Sequence, residues 1–155
     1  MSSPVLDYRV LGAGDLPALL LLDAATNSHS WHPDNWRDSL AQHLCLGLFD
    51  GEQLIGFAVA SRVLDEAELL AIAVDPARQG QGLGKALLGE IFRQLSQAGT
   101  ASLFLEVRAG NGRAQALYEA AGGCETGVRR NYYPQPGGGR EDARLYAFTL
   151  AGHFA

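Results

Sequence analysis

The chain has 155 residues, 47% hydrophobic and 19% charged, with a formal net charge of −5. That length suits one domain, 1–155, with a core able to cover about two thirds of the unfolded surface. The acidic balance argues against a nucleic-acid partner and for a basic one, and no apolar run approaches the ~20 residues of a membrane span.

In chain order, the opening MSSPVLDYRV lacks the basic and apolar regions of a secretory signal, so the expected location is the cytoplasm. Val5 to Leu11 alternates as a first strand. Asp15 then stands as an N-cap with Pro17 close behind, opening a helix through Leu19–Leu22 to about Thr26. A second helix is expected from Pro33 to His43, with Trp36 and Leu40 on its inner side. Cys45–Phe49, a turn at Asp50-Gly51 and Leu54–Arg62 read as a hairpin. Asp65–Val74 is the next strand. The helix after it runs from about Gly82 to Ala98, with Leu83, Leu87, Ile91 and Leu95 on one face and Gly99 as its stop.

Ala101–Arg108 is a strand with Leu103, Leu105 and Val107 facing one way and Phe104, Glu106 and Arg108 the other. Asn111 opens a short helix to about Ala121. Cys124–Asn131 and Asp142–Leu150 pair as final strands, and Tyr132 onward is too rich in Pro and Gly to be regular. The pattern is mixed α/β. Cys45 and Cys124 lie in no ligand spacing and read as buried, reduced thiols; the histidines His29, His32, His43 and His153 form no metal site.

Chemistry concentrates at Val74–Lys85, VDPARQGQGLGK. A strand, a glycine-rich turn and a helix start direct backbone N–H groups and the helix dipole at one anion. Glycines let the backbone approach a phosphate and adopt positive φ. Lys85 is followed by Ala86 rather than Ser or Thr, which disfavours a Mg-nucleotide loop. Lys85 also stands where a dinucleotide fingerprint needs its third glycine. A plain strand-to-helix turn is the competing reading.

Gln79-x-x-Gly82-x-Gly84 resembles the pyrophosphate loop of the GNAT acetyltransferases, which bind acetyl-CoA. With LEVRAGNGRAQALYEAAG and RRNYYPQPGGGRED following in order, Val63–Leu150 closely resembles the RimI-type N-terminal protein acetyltransferases of that superfamily; the first sixty residues do so weakly. The resemblance implies a GNAT fold: a mixed sheet of about seven strands with about four helices, the central parallel strands splayed around acetyl-CoA.

It also implies roles. Glu106, a charge inside an apolar strand, is the general base; a free α-amine is partly protonated near neutrality, with a pKa of about 7.7–8.0. Pairing with Arg108 or another strand's arginine is the alternative, and Glu66 and Glu68 are reserve bases. Tyr118 is the general acid for the CoA thiolate, or else a packed aromatic. Gln79, Gly80, Gln81, Gly82, Leu83, Gly84 and Lys85 hold the pyrophosphate. Ile72, Ala73 and Val74 meet the pantetheine arm through the main chain, where one N–H serves the oxyanion. Asn111 contacts CoA, or is a plain N-cap. Tyr132 and Tyr133 flank the incoming peptide, or pack on a hairpin; Trp31 forms a further wall.

Gly123, Ser30, His32 and Ala71 depart from the family pattern, and those near Trp31 bear on which peptide fits. The expected reaction is direct transfer to the N-terminal alanine of a ribosomal protein by a monomer, without metal, nucleic acid or membrane. A lysine or small-amine acetyltransferase and a catalytically idle acetyl-CoA-binding regulator are the alternatives.

Overall fold

The computed structural model describes residues 6–27 and 29–150; Val5 and His153 lie outside them. The elements are β1 (Leu6–Val10), α1 (Leu16–Thr26), α2 (Pro33–Gln42), β2 (Leu44–Asp50), β3 (Gln53–Val63), β4 (Glu66–Val74), α3 (Leu83–Gln97), β5 (Ser102–Arg108), α4 (Gly112–Ala120), β6 (Cys124–Pro134) and β7 (Arg140–Thr149). The seven strands form one mixed sheet in the order β1-β2-β3-β4-β5-β7-β6. This is the mixed seven-strand, four-helix architecture that the resemblance implied. Contacts divide the chain into two compact units, Met1–Ser61 with Leu70–Ile91, and Arg62–Leu69 with Phe92–Ala155.

In the first unit β1, β2 and β3 are antiparallel, with Asp50 opposite Gln53 across a two-residue turn whose Gly51 has φ +58. Trp36, Leu19, Phe57 and Cys45 are buried together at its core. Asp15 does sit at the N-cap of α1, yet its side chain does not cap that helix. A 3-10 turn, Ala13–Asp15, precedes the helix, and the Asp15 carboxylate turns back to accept from Gly12 N at 2.8 Å. At α2 the cap is His32, whose Nδ1 accepts from Asp34 N at 3.1 Å. Helix α3 begins in this unit with Leu87 and Ile91 of the predicted face buried, Leu83 of that face half-buried, and Leu88 buried beside them.

In the second unit β5 pairs with β7 and β7 with β6, all antiparallel. The start of β4 runs parallel to β5, Glu66 opposite Ser102 and Glu68 opposite Phe104. Leu103, Leu105 and Val107 are buried as the alternation required, each side chain contributing about 1.5–3 kcal/mol. Two expectations change here. Tyr132, Tyr133 and Pro134 belong to β6 rather than a loop, with Tyr133 opposite Glu141 and Pro134 opposite Arg140. β6 is an edge strand, where a residue without an N–H is tolerated; the register slips between Arg129 and Tyr133, and Asn131 takes φ +53. Only Gln135–Gly139 remains as the connection, its three glycines all at positive φ. Cys124, expected buried, is exposed at the start of β6 because that edge of the strand faces solvent; Cys45 is buried, and both are free thiols.

Candidate active site

The glycine turn lies in the first unit. Asp75 caps the 3-10 turn Pro76–Arg78, its Oδ1 accepting from Ala77 N at 3.0 Å, and the Arg78 guanidinium pairs with Asp50 at 2.7 Å. Gln79 folds back, donating from Nε2 to the Val74 carbonyl at 3.2 Å. Gly80 and Gly82 have φ +83 and +76, and a Cβ on either would meet nothing of the protein within 4 Å. These glycines are therefore required by backbone conformation, and the space above them is open. The first helical bond of α3 runs from Ala86 N to Gly82 O at 3.1 Å, so the amides of Leu83, Gly84 and Lys85 precede it and lack intrahelical acceptors. Open glycines at the start of a 15-residue helix fit a phosphate group. Ile72 and Ala73 are half-buried and Val74 is buried at the end of β4, with Gly56 of β3 close to the Ala73 carbonyl.

The titratable cluster lies in the second unit. Glu106, on β5, has a side chain 22% exposed and pairs through Oε1 with Arg129 Nε of β6 at 3.1 Å. Of the two pairings left open by the sequence, this is the one with another strand's arginine; Arg108 pairs instead with Glu141 at 3.1 Å. The Tyr132 hydroxyl hydrogen-bonds to Glu106, and that bond, followed by the carboxylate's charge, pushes the phenol upward. The Arg129 guanidinium also lies 5.3 Å above the Tyr132 ring. Tyr132 and Tyr133 meet edge to face, centroids 5.0 Å apart.

Tyr118, on α4, is 6% exposed and packs near Tyr146 and Phe148 at 6.0 and 6.4 Å. Burial, and then its neighbour Tyr133, push its phenol well above the usual value of about 10. The structure thus groups Glu106 with Tyr132 and Tyr133, and Tyr118 neighbours Tyr133. Glu68 is exposed and near enough to influence Tyr132, while Glu66 is exposed at the start of β4.

Asn111 caps α4, its Oδ1 accepting from Ala114 N at 3.1 Å. Trp31, in the first unit, stacks at 4.7 Å on Trp36, and both donate to Asp23 Oδ2, the Trp31 backbone N–H at 2.9 Å and the Trp36 indole at 3.0 Å. Sequence reasoning missed Asp23, which is 3% exposed. One polar residue after four leucines looks like a solvent face. Its only signal was a carboxylate followed closely by two tryptophans with N–H groups to satisfy. Gly123 is explained by packing: a Cβ there would lie 2.7 Å from the Phe148 ring and 2.9 Å from the Tyr118 carbonyl. Among the described residues no group of three or more His, Cys, Asp or Glu could hold a metal, and no helix is long and apolar enough to cross a membrane.

The sequence model of the Acetyltransferase (GNAT) family matches residues 16–123. The ribosomal protein bS18-alanine N-acetyltransferase of Haemophilus influenzae is 49% identical over 109 residues, which is 70% of this chain and 74% of its own. The enzyme of the same name from Escherichia coli K12 is 41% identical over 138 residues, 88% of this chain and 93% of its own. The crystal structure of the ribosomal-protein-S18-alanine N-acetyltransferase from Escherichia coli superposes with a TM-score of 0.88 at 39% identity, over 94% of both chains.

Proposed function

The chain belongs to the GNAT acetyltransferase family and is an N-acyltransferase, and from that premise we propose that it moves the acetyl group of acetyl-CoA to the α-amine of an N-terminal alanine on ribosomal protein bS18. One observation carries the substrate: 41% identity across 93% of an enzyme bearing that activity in its name. The net charge of −5 suits a basic protein substrate. The whole chain, 1–155, is read as one catalytic domain, acting in the cytoplasm as a monomer; sedimentation as a dimer would remove the last point.

In this reading the amides at the head of α3 and the glycine turn hold the pyrophosphate, and the main chain of Ile72–Val74 holds the pantetheine arm. Asn111 both caps α4 and contacts CoA. Glu106 takes the proton from the α-ammonium. The neutral nitrogen attacks the thioester carbonyl, and the carbon–sulfur bond breaks as the sulfur takes a proton from Tyr118. The adduct's surplus N–H proton returns to the Tyr118 phenolate, leaving the amide, the free CoA thiol and a protonated Glu106 that releases its proton to water. A phenol raised by burial gives its proton reluctantly. The same desolvation raises a thiol: in this chain burial pushes Cys45 up to about 11, so a leaving thiolate in a dry site gains proton affinity too. Tyr132 and Tyr133 wall the extended peptide, and Trp31 is read by itself as a further peptide contact.

The test uses paired peptides that begin with alanine, continue with basic residues and contain one lysine, with the N-terminus free or blocked. Transfer confined to the free terminus, and sharply lost in Glu106→Gln, supports both substrate and base. Labelling of the blocked peptide at an equal rate reassigns the chain to lysine acetylation. Acetyl-CoA binding without transfer to either peptide leaves a small-amine enzyme or a regulator.

A further inference from the structure

One side chain holds the base of the tyrosine pair from three directions. The Arg108 guanidinium lies 4.4 Å from the centroid of the Tyr133 ring. Its Nη1 donates to the Pro134 carbonyl at 3.2 Å, the residue following that tyrosine, and to Glu141 Oε1 at 3.1 Å. Glu141 stands opposite Tyr133 in the β6–β7 register, and its other oxygen accepts from Gly110 N at 2.8 Å. Both charged side chains are about four-fifths buried.

The arrangement is specific in what it fixes. β6 loses register between Arg129 and Tyr133, so the strand ladder does not by itself define where the tyrosines point. Pairing resumes at Tyr133, where the guanidinium supplies a flat face for the ring and a donor for the next carbonyl. Only a planar, multiply donating cation does both at once. Gly110 is matched to the same device: a Cβ there would lie 2.6 Å from Glu141 Oε2, so glycine keeps its amide within reach of the carboxylate. Tyr133 in turn influences Tyr118 and responds to the charge of Glu106. Its ring is the member of the pair that neighbours both groups.

We propose that Arg108, itself held by Glu141 and Gly110, is a positioning residue that sets the Tyr133 ring and through it the binding of the peptide terminus. This deepens the proposed function and rests on its reading of Tyr133 as part of the peptide wall. Arg108 touches no reacting atom. Its effect is on where the peptide sits, not on acetyl-CoA.

The experiment compares Arg108→Met, Arg108→Lys and Glu141→Gln with the unaltered chain, using the free-terminus peptide and acetyl-CoA as varied substrates. Arg108→Met should raise the peptide KM about 10-fold or more, the loss of roughly one stacked, charge-assisted contact, and leave the acetyl-CoA KM within about twofold. Arg108→Lys keeps the charge without the plane and should recover only part of the loss; Glu141→Gln should fall between. A parallel readout needs no turnover. With 3-fluorotyrosine placed at Tyr133, the fluorine resonance should shift or broaden in Arg108→Met, while thermal melting confirms the folded state. An unchanged resonance overturns the inference whatever the activity. So does a rise in both KM values together, which is the signature of a general structural loss. Absence of transfer by the unaltered chain removes the proposed function instead, and the fluorine spectrum still decides the role of Arg108.

Discussion

Replacing Tyr118 by Phe separates its two roles, because the ring stays and only the hydroxyl goes. The contacts with Tyr146 and Phe148 are ring contacts and survive. Any hydrogen bond lost is a neutral one, about 1 kcal/mol, which for a chain of this size moves the melting temperature by about 2–4 °C. A general acid, by contrast, contributes about 10²–10⁴-fold in rate, or roughly 2.7–5.4 kcal/mol of barrier. The expected result is a near-native melt with kcat reduced at least 100-fold, read by acetyl transfer to the alanine peptide under saturating substrates. The pH profile adds a second check. Burial and Tyr133 hold this phenol above its usual value of about 10, so its proton is retained as pH rises through the range where a free thiol ionises. The unaltered enzyme should therefore show no alkaline fall in kcat from this group below about pH 10. A variant that keeps kcat within about threefold of the unaltered chain, with the same pH profile, would refute the acid and leave a packed aromatic.

Asp23→Ala strands two N–H donors, the Trp31 amide and the Trp36 indole, each bonded to a carboxylate oxygen; at about 1.5–3 kcal/mol per bond, urea unfolding should show a loss of about 3–6 kcal/mol, and a loss under about 1 would mean the pair is satisfied otherwise. Gly82→Ala forces a Cβ onto a residue with φ +76, about 1–2 kcal/mol of strain with no clash; the acetyl-CoA KM should rise while the peptide KM holds, and the reverse pattern would take the turn out of cofactor binding. A pyridyl disulfide at pH 8 should titrate one thiol in the native chain and both in denaturant, since Cys124 is exposed whereas burial pushes Cys45 up to about 11; two fast native thiols would contradict the burial.

The glycine turn was legible because its demand is local: Gly80 and Gly82 answer a positive φ that the residue type itself announces. The alternation of Leu103, Leu105 and Val107 against Glu106 was legible for the same reason, since a strand's two faces are written in its own order. What sequence did not reveal depends on register. Arg129 reaches Glu106 across the width of β7, and nothing near Arg129 says so. Tyr132 and Tyr133 looked like loop because Pro134 and three glycines follow; strand order, which leaves β6 at an edge, decides otherwise. Asp23 follows an apolar run and gains its meaning only when α2 brings Trp36 to it.

The Trp31–Trp36 stack has an optical consequence. These are the chain's two tryptophans, with centroids 4.7 Å apart and planes tilted by 44°. Rings so close couple their electronic transitions, so the near-ultraviolet circular dichroism of this corner should carry a paired signal. Emission excited on the red edge, where tyrosine does not absorb, reports the α1–α2 corner alone. Tyr118, Tyr132, Tyr133 and Tyr146, four of the five tyrosines, all belong to the other unit. Loss of the tryptophan doublet therefore reports the α1–α2 corner, and loss of tyrosine asymmetry reports chiefly the other unit, with Tyr8 the one tyrosine outside it.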